Sequence, residues 1–123
     1  MDLTLLPDVF AVCRLDRNSL VPDWGLSGDF YSITRTAEEL SVVCLQRDVP
    51  AGVQHEAGWR CLKVAGPLDF ALIGILASLT APLAQAGISL FAVSTYDTDY
   101  LLVKEVDLER ATTALTAAGH RVG

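Results

Sequence analysis

The chain has 123 residues, the length of about one domain, so an assembly of several large domains is excluded. Apolar residues make up 51% and charged residues 20%, ordinary globular usage that argues against a disordered or fibrous chain. Nine Lys plus Arg against 15 Asp plus Glu leave a net charge of -6, which repels polyphosphates and anionic lipid, so neither nucleic acid nor a membrane surface is an expected partner.

In chain order, residues 10–15 carry a strand pattern, while residues 16–29 are too short and too rich in Pro, Gly, Asn and Ser to hold a helix. Residues 30–44 read as extended segments around a polar turn, and residues 46–58, with Pro50, Gly52 and Gly58, are unable to carry a full helix. A strand over residues 59–65 places Trp59, Cys61 and Lys63 on one face and Arg60, Leu62 and Val64 on the other, before Gly66 and Pro67 stop it. Asp69 is then expected as the N-cap of a helix, with Leu68 and Ile73 as a hydrophobic staple and Leu72, Leu76, Leu79 and Leu83 as the buried stripe. Pro82 tightens or kinks that helix and Gly87 supplies its exit. Residues 70–96 carry no charge, but the polar and Gly/Pro interruptions fit a buried helix and strand better than a membrane span. Residues 88–94 are apolar on both faces, which predicts a strand covered on both sides. After a polar connection over residues 95–99, residues 100–104 form its antiparallel partner. Asp107 caps a second helix with an inner stripe of Leu108, Ala111, Leu115 and Ala118, Gly119 ends it, and residues 120–123 make a last short strand.

The second half thus reads strand, helix, strand, strand, helix, strand, the ferredoxin-like βαββαβ unit of the α+β class. Laid over it without gaps, residues 30–44 fall on residues 90–104, so that Thr34 meets Ser94 and Glu39 meets Asp99. Two related modules follow: residues 1–58, reduced and strand-rich, and residues 59–123, complete.

This unit hosts several unrelated activities, so the loops must carry the argument. The loop 66–70 has neither the arginine of an acylphosphatase-type phosphate site nor the paired cysteines of a metal-transfer site. The strand over residues 100–104 has too few aromatic and basic residues to stack bases. What the loops offer is a helix N-terminus for a carboxylate, and the hydroxyls and carboxylates of Ser94, Thr95, Asp97, Thr98 and Asp99 for an ammonium group. That pairing suits a free amino acid, with Thr34, Thr36 and Glu39 as a second polar loop if the modules lie side by side.

The run Ser94-Thr95-Tyr96-Asp97-Thr98-Asp99-Tyr100-Leu101-Leu102-Val103 resembles the second-strand to third-strand motif of the ACT regulatory domain, in its aspartokinase-like and CASTOR-type arginine-sensor branch. Gly66-Pro67-Leu68-Asp69-Phe70 resembles the first loop of the same family. The resemblance implies paired ACT modules binding an amino acid at their interface, with Gly66, Asp69 and Phe70 bordering the ligand and Ser94, Thr95, Asp97 and Asp99 facing it. Thr34, Thr36 and Glu39 are carried over from the first module, although Arg35 and Ala37-Glu38 depart from the Thr-Tyr-Asp-Thr pattern. No catalytic residues, metal ligands or cofactor are implied, and the expected partners are a free amino acid, a second copy in a homodimer and a protein target.

Blander readings stand beside these. Asp69 caps a helix in any protein of this fold, and residues 94–99 serve equally as a plain hairpin connection. Cys13, Cys44 and Cys61 are an odd set without a CxxC spacing, so they read as core residues in a reducing cytoplasm, and the N-terminus shows no secretory signal. His55 and His120 have no nucleophile to serve, and Trp24 and Trp59 read as packing anchors between the modules. The alternative to a sensor is a non-catalytic dimerisation or docking protein whose ligand site has decayed.

Overall fold

The computed structural model describes residues 1–69 and 72–123 and divides into two compact units. One comprises Met1–Pro7 and Arg60–Gly123; the other is Asp8–Trp59. The strands are β1 (Asp2–Asp16), β2 (Ser32–Arg35), β3 (Glu39–Leu45), β4 (Gln54–Val64), β5 (Leu90–Ser94), β6 (Asp99–Lys104) and β7 (Arg121–Val122), and the helices are α1 (Ile75–Gln85) and α2 (Leu108–Ala117). The first seven residues therefore belong with the C-terminal half, and Asp8–Trp59 is an insertion into that unit.

The unit of Met1–Pro7 and Arg60–Gly123 contains the expected βαββαβ series as β4, α1, β5, β6, α2 and β7. The start of β1 enters this series as an additional strand between β4 and β7, giving the order β7-β1-β4-β6-β5. Main-chain bonds from Ala65 to the Asp2 carbonyl (2.8 Å) and from Arg121 to the Met1 carbonyl (2.9 Å) hold it on both sides. β4 begins at Gln54, five residues before the expected start, and its alternation is as read: Leu62 and Val64 join the core while Lys63 is exposed. That core is closed by Leu79 and Leu83 of α1, Ala111 and Leu115 of α2, and Leu101 and Val103 of β6.

Three expectations fail here for identifiable reasons. The helix does not start after Asp69: α1 begins at Ile75 with Gly74 as its N-cap in the left-handed region, φ 79°. An α-helix cannot run through a left-handed residue, so Gly74 sets the start, and Asp69 instead closes a backbone turn to the Leu72 amide (3.0 Å). Ile73 consequently lies outside the helix at 95% exposure, and in the expected leucine stripe Leu72 and Leu76 are exposed while Leu79 and Leu83 are buried. The strand expected over residues 88–94 to be covered on both faces is the shorter β5, the terminal strand of its unit, with Ala92 exposed. Finally, Asp107 stands at the N-cap of α2 without making a side-chain cap bond; its carboxylate takes Arg110 at 3.0 Å. Ala118, expected on the inner stripe, is exposed at the helix end. His120 is buried just before β7, its Nε2 donating to the Ser78 carbonyl of α1 (3.0 Å).

In Asp8–Trp59, β1 pairs antiparallel with β3, and β3 with β2. One face packs Ala11, Cys13, Leu40, Val42 and Cys44 with Trp24 against them, so Trp24 serves this unit's own core. On the other face the rings of Phe10 and Phe30 meet edge to face at 5.6 Å. As the composition of residues 16–29 and 46–58 implies, neither carries an α-helix; they hold 3-10 turns at Asp23–Gly25 and Gln46–Asp48. Guanidinium groups tie the irregular chain instead: Arg35 donates to the carbonyls of Arg17 and Ser19, and Arg14 to that of Glu38.

All three thiols are free and buried. Cys13 and Cys44 face each other with sulfurs 4.0 Å apart, and desolvation pushes Cys44 and Cys61 up to about 12 and raises Cys13. A folded-state value above the ordinary 9.0 gives stability that is complete below pH 9 and is lost as pH climbs toward 12. Because the thiolate is the nucleophile, iodoacetamide at pH 8 is expected to label none of the three thiols in the native protein and all three in denaturant, counted by mass. Urea midpoints should fall between pH 8 and pH 10.5 and rise again in a Cys61→Ala, Cys44→Ala background.

Candidate functional site

Two loops meet at one end of the Met1–Pro7 and Arg60–Gly123 unit: residues 65–74, between β4 and α1, and residues 95–98, between β5 and β6. The second is a threonine-locked turn. The Thr95 amide donates to the Thr98 carbonyl (2.8 Å), and the Thr95 hydroxyl accepts from the Thr98 amide (3.3 Å) while donating to the same carbonyl (3.1 Å). Thr98, at 4% exposure, turns inward and donates its hydroxyl to the Val64 carbonyl at the end of β4 (2.8 Å). The Leu68 amide donates to the Asp97 carbonyl (2.7 Å), completing the link between the loops.

Gly66 is where they come closest. A Cβ there would lie 3.0 Å from the Thr98 Cβ and 3.1 Å from the Asp97 carbonyl oxygen, so the absence of a side chain permits the approach. Thr98→Val keeps the shape, removes the hydroxyl and leaves a carbonyl unsatisfied. It should cost about 1–3 kcal/mol in a denaturation curve and raise amide exchange first at Leu68 and Thr98.

Between the loops lies an open cavity of about 200 Å³. Leu68, Leu72 and Ile75 form its apolar side; Asp69, Ser94, Thr95, Asp97 and Asp99 bring hydroxyls and carboxylates, and Tyr96 stands at the rim at 82% exposure. Ser94 donates its hydroxyl to the Asp99 carboxylate (2.5 Å), orienting that acid as an acceptor. Three carboxylates without a lysine or arginine in the lining make a site for cationic groups. Ile75 opens α1, so the helix N-terminus borders the same cavity. A second cavity of about 190 Å³ shares Thr95, Asp97 and Thr98 with it and adds Lys63, Gly66, Pro67 and Tyr100.

Of the residues singled out in the sequence, Asp69, Ser94, Thr95, Asp97 and Asp99 are together around the first cavity, and Gly66 lines the second. Phe70 lies outside the described residues. Thr34, Thr36 and Glu39 belong to the Asp8–Trp59 unit. There Thr36 builds a turn like that of Thr95: its amide donates to the Glu39 carbonyl (2.9 Å) and its hydroxyl accepts from the Glu39 amide (3.2 Å). The equivalence is thus Thr36 with Thr95 and Glu39 with Thr98, an offset of 59 residues where gapless matching gives 60. At the true register Asp99 corresponds to Leu40, which is fully buried, so the first module repeats the turn and lacks the acid that follows it. Thr34 stands exposed on β2, and Glu39 turns to a separate cavity of about 180 Å³.

Residues missed in the sequence are Leu68, Leu72, Ile75 and Tyr96 of the first cavity and Lys63 and Tyr100 of the second. The left-handed glycine before α1 was the available signal for the apolar ones, because it leaves Leu72 in the loop. Among the described residues, no group of three or more His, Cys, Asp or Glu side chains is placed to hold a metal ion, and no helix is long and apolar enough to cross a membrane.

The family model for the ACT domain matches residues 54–117, and a second model, for an N-terminal domain, matches residues 8–52. The chain is similar to the cytosolic arginine sensor for mTORC1 subunit 1 of Bos taurus, 33% identical over 90 residues that make up 64% of this chain and 27% of that protein. The chain therefore spans about a quarter of the length of this relative. The crystal structure of protein Atu0741 from Agrobacterium tumefaciens superposes with a TM-score of 0.94 at 42% identity, covering 99% of this chain and 91% of that one. The regulatory subunit of aspartate kinase from Thermus thermophilus shares the fold, with a TM-score of 0.64 at 10% identity over 95% of this chain and 97% of its own.

Proposed function

Because this chain belongs to the ACT domain family, we propose that it is a regulatory module that senses a free amino acid with a cationic side chain at the 65–74 and 95–98 loops. The carboxylates of Asp69, Asp97 and Asp99, converging on a cavity of about 200 Å³ that no basic residue lines, carry this reading. That volume is below the 300–1,000 Å³ typical of drug-sized ligands and suits one small molecule. Its guanidinium or ammonium group meets the acids, its aliphatic stem lies along Leu68, Leu72 and Ile75, and its carboxylate is drawn to the N-terminus of α1. The name of the bovine relative favours arginine as the first ligand to test.

The role is binding without catalysis or cofactor, in a reducing compartment that keeps the three buried thiols free, with ligand occupancy passed to a protein target. Thermal-shift screening of the 20 amino acids tests it. A ligand at 100 times its dissociation constant should add about 2.7 kcal/mol to the folded state, strongest for arginine, and no stabilisation by any of them overturns the reading. In that event the docking alternative is the better account. The exposed Leu72 (52%), Ile73 (95%) and Tyr96 (82%) beside the loops are the observation in its favour.

A further inference from the structure

We propose that the Asp8–Trp59 unit holds a second small-molecule site, separate from the first, for a diamino carboxylic acid of net charge +1. A cavity of about 180 Å³ is lined there by β1, β3 and the start of β4, and none of its residues lines the cavity at the 95–98 turn. The strand register builds it. Val12 is opposite Val43 and Arg14 opposite Ser41, so the two-residue period puts Val12, Arg14, Ser41 and Glu39 on one face. β4 adds Gln54 and Glu56 to the same lining.

One guanidinium and two carboxylates therefore surround an apolar base at Val12. The guanidinium of Arg14 is already fixed by its bond to the Glu38 carbonyl (3.0 Å), and Glu39 is half-buried on a strand whose turn Thr36 locks. Arginine's planar fork recognises a carboxylate, and the two glutamates provide for two ammonium groups. The lining's single net negative charge is balanced by a ligand with two amines and one acid. The first cavity, with acids alone, lacks a side chain that would take the carboxylate.

The test is a titration of the full isotope-labelled chain with L-lysine, followed through backbone amide shifts. Perturbations are expected at residues 12–14, 39–41 and 54–56, saturating with their own dissociation constant. L-norleucine, which has the same chain without the second amine, should bind there at least tenfold more weakly. Arg14→Gln and Glu56→Gln should each weaken lysine at these residues tenfold or more; Glu56 is exposed, so its variant carries the test if Arg14→Gln fails to fold. The proposal fails if lysine perturbs none of these residues, perturbs residues 94–99 alone, or acts on them no more strongly than norleucine or equally in both variants. Failure here leaves the first site untouched, because that site is read from a different set of shifts.

Discussion

Replacing Asp97 and Asp99 together with asparagine should weaken the binding of arginine about 100-fold while leaving the denaturation curve almost unchanged. Both acids line the cavity with their carboxylates toward solvent or a hydroxyl, and neither side chain enters the core, so the fold does not depend on their charge. Asparagine keeps the volume and the carbonyl oxygen that accepts from Ser94, and removes the negative charge. A hydrogen bond to a charged group contributes about 1.5–3 kcal/mol, so losing two charge-assisted contacts costs about 3 kcal/mol, which converts to about 100-fold in the dissociation constant. Calorimetric titration measures it directly. Glu105→Gln, an exposed acid on the 3-10 turn Glu105–Asp107, controls for the general loss of negative charge and should change affinity less than twofold. Raising the salt concentration should weaken the wild-type protein more than the double variant, because screening acts on the charges that have been removed. If both proteins bind arginine equally, the carboxylates are a solvated rim and the sensor reading loses its chemical basis.

The secondary structure was legible wherever one periodicity acted alone. β6 and the alternation of Leu62, Lys63 and Val64 in β4 follow from period two, and α2 from its capping position and inner stripe. The polar cluster at Ser94, Thr95, Asp97 and Asp99 was legible too, because hydroxyls and acids concentrated in a short connection have few other purposes. What was hidden required tertiary information. The insertion of residues 8–59 leaves no local mark, since β1 runs from one unit into the other as a single unbroken strand. The repeat was visible, yet its register slipped by one because apolar residues of similar class tolerate a shift that a hydrogen-bonded turn does not. Thr36 and Thr95 perform the same bonds and fix the offset that residue class alone left one position wrong.

The start of α1 has the largest energetic consequence. Leu72, Leu76, Leu79 and Leu83 occupy comparable positions in the sequence pattern, but Gly74 divides them, and the structure assigns them unequal weight. Leu79 and Leu83 are fully buried against Leu62, Val64, Leu101 and Leu115, whereas Leu76 is 36% exposed and Leu72 lies in the loop. Leu79→Ala or Leu83→Ala removes buried methyl groups and leaves a cavity, so each should cost about 2–5 kcal/mol, a large part of the 5–15 kcal/mol typical of a folded domain. Leu76→Ala leaves little cavity and exchanges a partly hydrated side chain for the best helix former, so its cost should stay below about 1 kcal/mol. Urea unfolding of the three variants separates a helix begun at Ile75 from one begun after Asp69. In the latter, Leu76 would sit in the middle of the inner face and match its neighbours. An 11-residue helix has marginal stability on its own in water, so α1 persists through those two leucines, and the loop that carries Asp69 and Leu72 is anchored through them. Leu83→Ala should therefore also weaken arginine binding, whereas Leu76→Ala should leave the loop anchored; similar costs at all three leucines would contradict the helix boundary set by Gly74.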